Sequence, residues 1–183
     1  MKVKAIGGKD TLCYEPAAEV ESLRGEPVIR EKNLTSKEAN RKLEALKKDG
    51  GYDVVVKFRQ AEGATPTDVL LRGIHFHHDP ANGNLIQGAR VNGTTRVLPN
   101  HSGRNGSIKT IHPASILDAR FLIDRGIVES FWNGGEAAYA ISSLHTDKGA
   151  VLKIEGDAVI EEVTVYPTRN IWEKASRRSR RQR

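Results

Sequence analysis

The sequence predicts an α+β fold: a β-rich antiparallel domain, drawn as a curled sheet or small barrel, with one or two packed helices and a disordered basic C-terminal tail. Three observations predict it. Short runs rich in Val, Ile, Leu and Phe are bounded by turn residues, the pattern of strands. Four Asn-Gly steps, at Asn82, Asn92, Asn105 and Asn133, suit the positive φ values of tight hairpins. Only one stretch carries a clear helical period. With 183 residues and 38% hydrophobic content, the chain is long enough to bury its own core in one domain, residues 1–167, ahead of a tail over 168–183.

The elements follow in order. Residues 1–6 alternate as a first strand closed by Gly7-Gly8, and Pro16, Gly25 and Pro27 break any long element after it. Thr35-Ser36-Lys37-Glu38 is a capping box, and Ala39, Leu43 and Leu46 recur at helical spacing, so a helix is expected over 36–48. Residues 53–60 and 68–77 read as strands, 85–91 with 94–98 as a hairpin around Asn92-Gly93, and 109–112 as a short strand. Ser115-Ile116-Leu117-Asp118 looks like a second helix cap, with Phe121 and Ile123 continuing an apolar face to Gly126. Residues 151–155 and 158–166, joined by Gly156-Asp157, are expected to form a final hairpin.

The net charge of +6 is unevenly placed. Arg169, Lys174, Arg177, Arg178, Arg180, Arg181 and Arg183 face Glu173 alone after residue 167, so the body is neutral and the tail carries the whole excess. Such a run repels itself and has little apolar surface to bury. Arginine forks fit phosphate oxygens, and a flexible basic arm releases counterions along a polyanion. Trp172 beside the arm is placed to stack on a base. Arg104 and Lys109, in a loop of Gly, Ser and Asn, would add anion contacts; that loop differs from a phosphate-binding P-loop in having Ile108 where a glycine must precede the lysine.

Three of six histidines fall in His75-Phe76-His77-His78-Asp79. On a strand, His75 and His77 share one face, an arrangement suited to a divalent ion such as Zn²⁺ or Mg²⁺, with His78, Asp79 or the distant His101 or His112 completing the set. The run supplies part of the metal motif of metallo-β-lactamase-like hydrolases, but Pro80 stands where the next ligand belongs. His78, Asn92 and His101 are spaced as in His-Asn-His nucleases, yet Pro99, Asn100 and Gly103 oppose the helix that finger requires.

Cys13 is the only cysteine, which excludes an intramolecular disulfide and favours a reducing compartment. No secretory signal is visible, and no apolar run exceeds the five residues 137–141, so no membrane partner is expected. The sequence thus points to an intracellular protein, cytoplasmic or nuclear, whose partner is RNA or DNA gripped by the basic arm. The alternatives are a metal-dependent nuclease or hydrolase built on the histidine cluster, and a protein-interaction or inhibitor module with an incidental tail.

Overall fold

Burial alternates along most strands of the computed structural model, which describes residues 1–60, 63, 65–91, 94–97, 108–112, 115–124, 126–142 and 150–169. In chain order the strands are β1 (Lys2–Ile6), β2 (Lys9–Cys13), β3 (Ile29–Thr35), β4 (Tyr52–Arg59), β5 (Thr67–Leu71), β6 (Ile74–Asp79) and β7 (Asn84–Val91). They continue with β8 (Thr94–Val97), β9 (Ile108–Thr110), β10 (Ile116–Ile123), β11 (Ile127–Trp132), β12 (Ala137–Ser142), β13 (Leu152–Glu155) and β14 (Val159–Pro167). A 3-10 turn spans Ala18–Leu23 and one α-helix, α1, spans Ser36–Leu43.

The strands pair antiparallel in two large sheets, and β1 and β2 form a separate hairpin. One sheet has the order β12-β11-β10-β4-β14-β3; the other runs β13-β5-β6-β7-β8, with β9 also on β7. Val54, Val56 and Phe58 of β4, with Leu117, Ala119, Phe121 and Ile123 of β10, join one buried cluster with Val69 and Leu71 of β5 and Phe76 of β6. The rings meet across the gap: Phe76 lies 5.5 Å from Trp132, 5.6 Å from Tyr139 and 6.4 Å from Phe121, centroid to centroid. The fold is therefore a β-sandwich. The curled single sheet or small barrel expected from sequence is corrected, because each sheet ends in its own edge strands and neither closes on itself.

The helix starts as expected and stops early. Thr35 Oγ1 accepts from Glu38 N, and Glu38 Oε2 accepts from Thr35 N at 2.9 Å, the reciprocal capping box. Regular helix ends at Leu43, and the chain reaches the buried Leu46 through turns. Ala39 and Leu43 face the core, while Asn40 donates to Ile154 O and accepts from Ile154 N. That amide thus supplies the missing partners on the edge of β13, capping a strand that would otherwise present bare backbone.

Three further expectations are corrected. The single strand expected over 68–77 is a hairpin of two, β5 and β6, which turn at Arg72-Gly73. The second helix at 115–126 is the strand β10: its buried residues recur at every second position, and Asp118 accepts from Gly134 N instead of capping a helix. The final hairpin does not exist as a pair. β13 joins β5 in one sheet while β14 inserts between β4 and β3 in the other, so Gly156-Asp157 carries the chain across the sandwich. Gly156 has φ +105°, and a Cβ there would sit 2.5 Å from Pro66 O, so only glycine makes this crossing. Asn133 (φ 50°) and Gly134 (φ 63°), by contrast, make the tight turn between β11 and β12 that an Asn-Gly step implies.

Among the described residues no helix is long and apolar enough to cross a membrane. Because Phe76 bridges both sheets from a fully buried position, Phe76→Ala is expected to cost about 3–5 kcal/mol, measured as a lowered urea midpoint with an unchanged slope.

Candidate functional site

Among the described residues, polar side chains gather on the outside of each sheet. On the smaller sheet, β5 and β6 turn through Arg72-Gly73, both at positive φ, and the hairpin register sets Asp68 opposite His77 and Leu70 opposite His75. Val69 and Phe76 enter the core, so Asp68, His75 and His77 share the opposite face. Asp68 Oδ1 lies 2.7 Å from His75 Nε2 and 2.7 Å from His77 Nδ1. Burial alone would raise the Asp68 carboxyl; hydrogen bonds from the two imidazoles overcome this and hold it below the usual carboxylate value. An ionised carboxylate only accepts, so each of these ring nitrogens is the donor.

The sequence reading grouped His78, Asp79 and His101 with this pair, and the structure places two of them elsewhere. His78 is buried on the core face, where the Gln60 amide meets its Nδ1 at 2.8 Å. Asp79 accepts from Ala81 N and from Asn82 Nδ2, tying down the turn into β7. His101 lies outside the described residues. Asp68, which sequence reasoning missed, takes the third place. Its signal was the Arg72-Gly73 turn, which folds residue 68 back onto residue 77.

On the larger sheet, a cleft of about 560 Å³ opens between the β1–β2 hairpin and the outer face of β10 and β11. Asp118, Arg120 and Phe131 come from the sheet, Glu15 and Glu21 from the segment after β2, and Gly134 and Gly135 from the β11–β12 turn. Lys2 and Lys4 both bond Glu15, at 2.8 and 2.6 Å, and hold its carboxyl down to about 2. Arg120 is fixed from below: its Nε and Nη2 donate to the two oxygens of Asp53 at 3.0 and 2.7 Å, and Asp53 is fully buried. Arg24 Nε donates to the same carboxylate at 2.8 Å, with its guanidinium 4.4 Å from the Tyr166 ring centroid. Arg120 Nη1 also reaches Glu21 Oε1 at 3.4 Å. None of these cleft residues was singled out from sequence, because they converge only through the sheet register and the docking of the N-terminal hairpin.

Of the expected nucleic-acid contacts, Trp172, Lys174, Arg177, Arg178, Arg180, Arg181, Arg183 and Arg104 lie outside the described residues. Lys109 is half-buried, donates to Ala138 O and sits 5.0 Å from the Tyr139 ring centroid, so it is engaged within the body. Thr168 N and Arg169 N bond Gly51 O and Leu23 O, and the Arg169 side chain is exposed.

No protein-family model matches the chain, and no curated protein does. Solved structures do resemble it. Exo-inulinase from Aspergillus awamori shares 16% identity at a TM-score of 0.66, over 93% of this chain and 35% of that one. Sucrose-6-phosphate hydrolase from Lactobacillus gasseri shares 13% at 0.60, over 92% and 32%. Fructan 1-exohydrolase IIa from Cichorium intybus shares 16% at 0.59, over 90% and 40%. The chain thus spans two fifths or less of each of these proteins. Its fold is the β-sandwich found in these sugar hydrolases, and the expectation of an RNA- or DNA-binding protein is corrected accordingly. The nuclease alternative also meets a geometric obstacle, since His78 is buried on the core face and the Asp79 carboxylate is bonded to the turn at Ala81 and Asn82.

Burial pushes the His78 imidazole down to about 4 from its ordinary 6.5, and Gln60 occupies its proton-accepting nitrogen. In the unfolded chain the ring takes its proton near the ordinary value, so between those two pH values the unfolded state binds more protons. Stability is therefore expected to fall as pH drops through that window, by up to about 3 kcal/mol. His78→Gln should flatten this part of the pH–stability curve, read by urea unfolding across the window.

Proposed function

We propose that the chain is a sugar-binding β-sandwich module whose ligand lies in the cleft over β10 and β11. The observation that carries this reading is the pinned Arg120. Its guanidinium is held by the buried Asp53 before any ligand arrives, so its ordering cost is already met by the fold. Beside it stand the carboxylates of Asp118 and Glu21 and the half-buried ring of Phe131. A sugar presents neighbouring hydroxyls that bond well to forked groups, and a C–H face that lies well against an aromatic ring. Arg120 would donate to hydroxyl oxygens, Asp118 and Glu21 would accept from hydroxyl protons, and Phe131 would pack beneath the ring.

The resembling structures are named for inulin, fructan and sucrose 6-phosphate, which supports a fructose-containing oligosaccharide as the ligand class. Titration of a short fructan into isotope-labelled protein should shift amide signals around Asp118, Phe131 and Gly134. Phe131→Ala should weaken binding about tenfold, which corresponds to about 1.4 kcal/mol. Absence of any saturable shift with fructans, galactosides and glucans alike would overturn the reading, as would shifts confined to the other sheet.

A further inference from the structure

We propose that Asp68, His75 and His77 form a binding site for a divalent transition-metal ion, with Zn²⁺ the ion best matched to the donors. The site is independent of the sugar reading and lies on the outer face of the opposite sheet. Three donor atoms, one from each residue, lie within 4.8 Å of one another, and all three side chains project from one regular hairpin. Two imidazoles and one carboxylate are a donor set for zinc and its neighbours; Mg²⁺ and Ca²⁺ prefer oxygen alone.

The hydrogen bonds already present show how an ion would enter. Both His75 Nε2 and His77 Nδ1 direct a proton at a single oxygen of Asp68. An ion takes the place of those two protons, each ring then carrying its proton on its other nitrogen. The two Asp68–imidazole separations of 2.7 Å are shorter than those between neighbouring ligands in a tetrahedral zinc site, roughly 3.3 Å from Zn–ligand bonds of about 2 Å, so each of these two needs to lengthen by only a fraction of an ångström.

Burial makes the site one-sided. The His75 side chain is 2% exposed and forms the floor, while Asp68 and His77 keep 22% and 26% of theirs. Among the described residues a bound ion thus has three protein ligands and an open coordination position, the arrangement of a zinc site that holds water or an incoming ligand rather than a sealed structural one.

The test is titration of the full chain with Zn²⁺ against a competing fluorescent indicator, alongside Co²⁺ absorption. The wild type should bind one ion at this site, and Co²⁺ should give the intense visible bands of four-coordinate nitrogen and oxygen ligation. Asp68→Asn keeps an oxygen that accepts from either ring, and His77→Ala removes a half-exposed side chain, so both variants should fold. Each should weaken binding by well over the tenfold that loss of an outer contact costs. His112→Ala, which deletes an exposed imidazole elsewhere, should leave affinity unchanged and so excludes casual surface binding. Zn²⁺ should also raise the melting temperature of the wild type and of His112→Ala only. No saturable uptake by the wild type, or uptake unaffected in both Asp68→Asn and His77→Ala, would overturn the site and leave Asp68 as a hydrogen-bond clamp between two histidines.

Discussion

The insertion of Phe76 between the sheets is the constraint on which the rest depends. Its ring contacts Trp132, Tyr139 and Phe121 from the facing sheet, so a single side chain on β6 registers one layer of the sandwich against the other. A strand has a period of two, and a residue committed inward sends its neighbours outward. His75 and His77 stand together on the outer face because Phe76 stands between them in the core. The same rule sends His78 back inside, where burial favours the neutral ring and Gln60 partners it. The chemistry of four consecutive residues is thus divided by packing.

The larger sheet couples stability to its cleft through Asp53. A buried carboxylate is tolerable only when its charge and lone pairs are met, and here two guanidinium groups meet them. Arg24 closes the group toward Tyr166, and Arg120 extends it toward Glu21. The arginine at the cleft floor therefore inherits its position from the fold. On the smaller sheet Asp68 plays the matching part, ordering two imidazoles at once.

Much of this was legible in local patterns. The capping box at Thr35, the strand over residues 53–60 and the turn at Asn133-Gly134 are decided by a few adjacent residues, and the structure shows each of them. The face shared by His75 and His77 follows from strand periodicity alone. What the sequence hid was non-local. Ser115 to Asp118 satisfies a helix-cap pattern, yet pairing with β4 and β11 on both sides outweighs it. Residues 151–155 and 158–166 each read as strands and their connection reads as a turn, but nothing nearby says that they enter different sheets. Asp68 stayed unseen because its turn is Arg72-Gly73 instead of an Asn-Gly step. The basic run drew attention to the tail through charge alone, whereas the cleft residues are scattered from Glu15 to Gly135 and meet only in the folded chain.

The position of β14 bears on how the protein is made. It follows every other described strand, yet it lies inside the larger sheet, between β4 and β3. Until it emerges from the ribosome, β3 has no strand neighbour and β4 offers an unpaired side, even though the strands that precede it have already been synthesised. The nascent chain therefore carries these open strand edges from the time β4 is made until β14 follows, a state that invites pairing with other chains. A chaperone that shields such edges, or slow synthesis that limits the number of exposed chains, is therefore expected to favour the finished sandwich over aggregation.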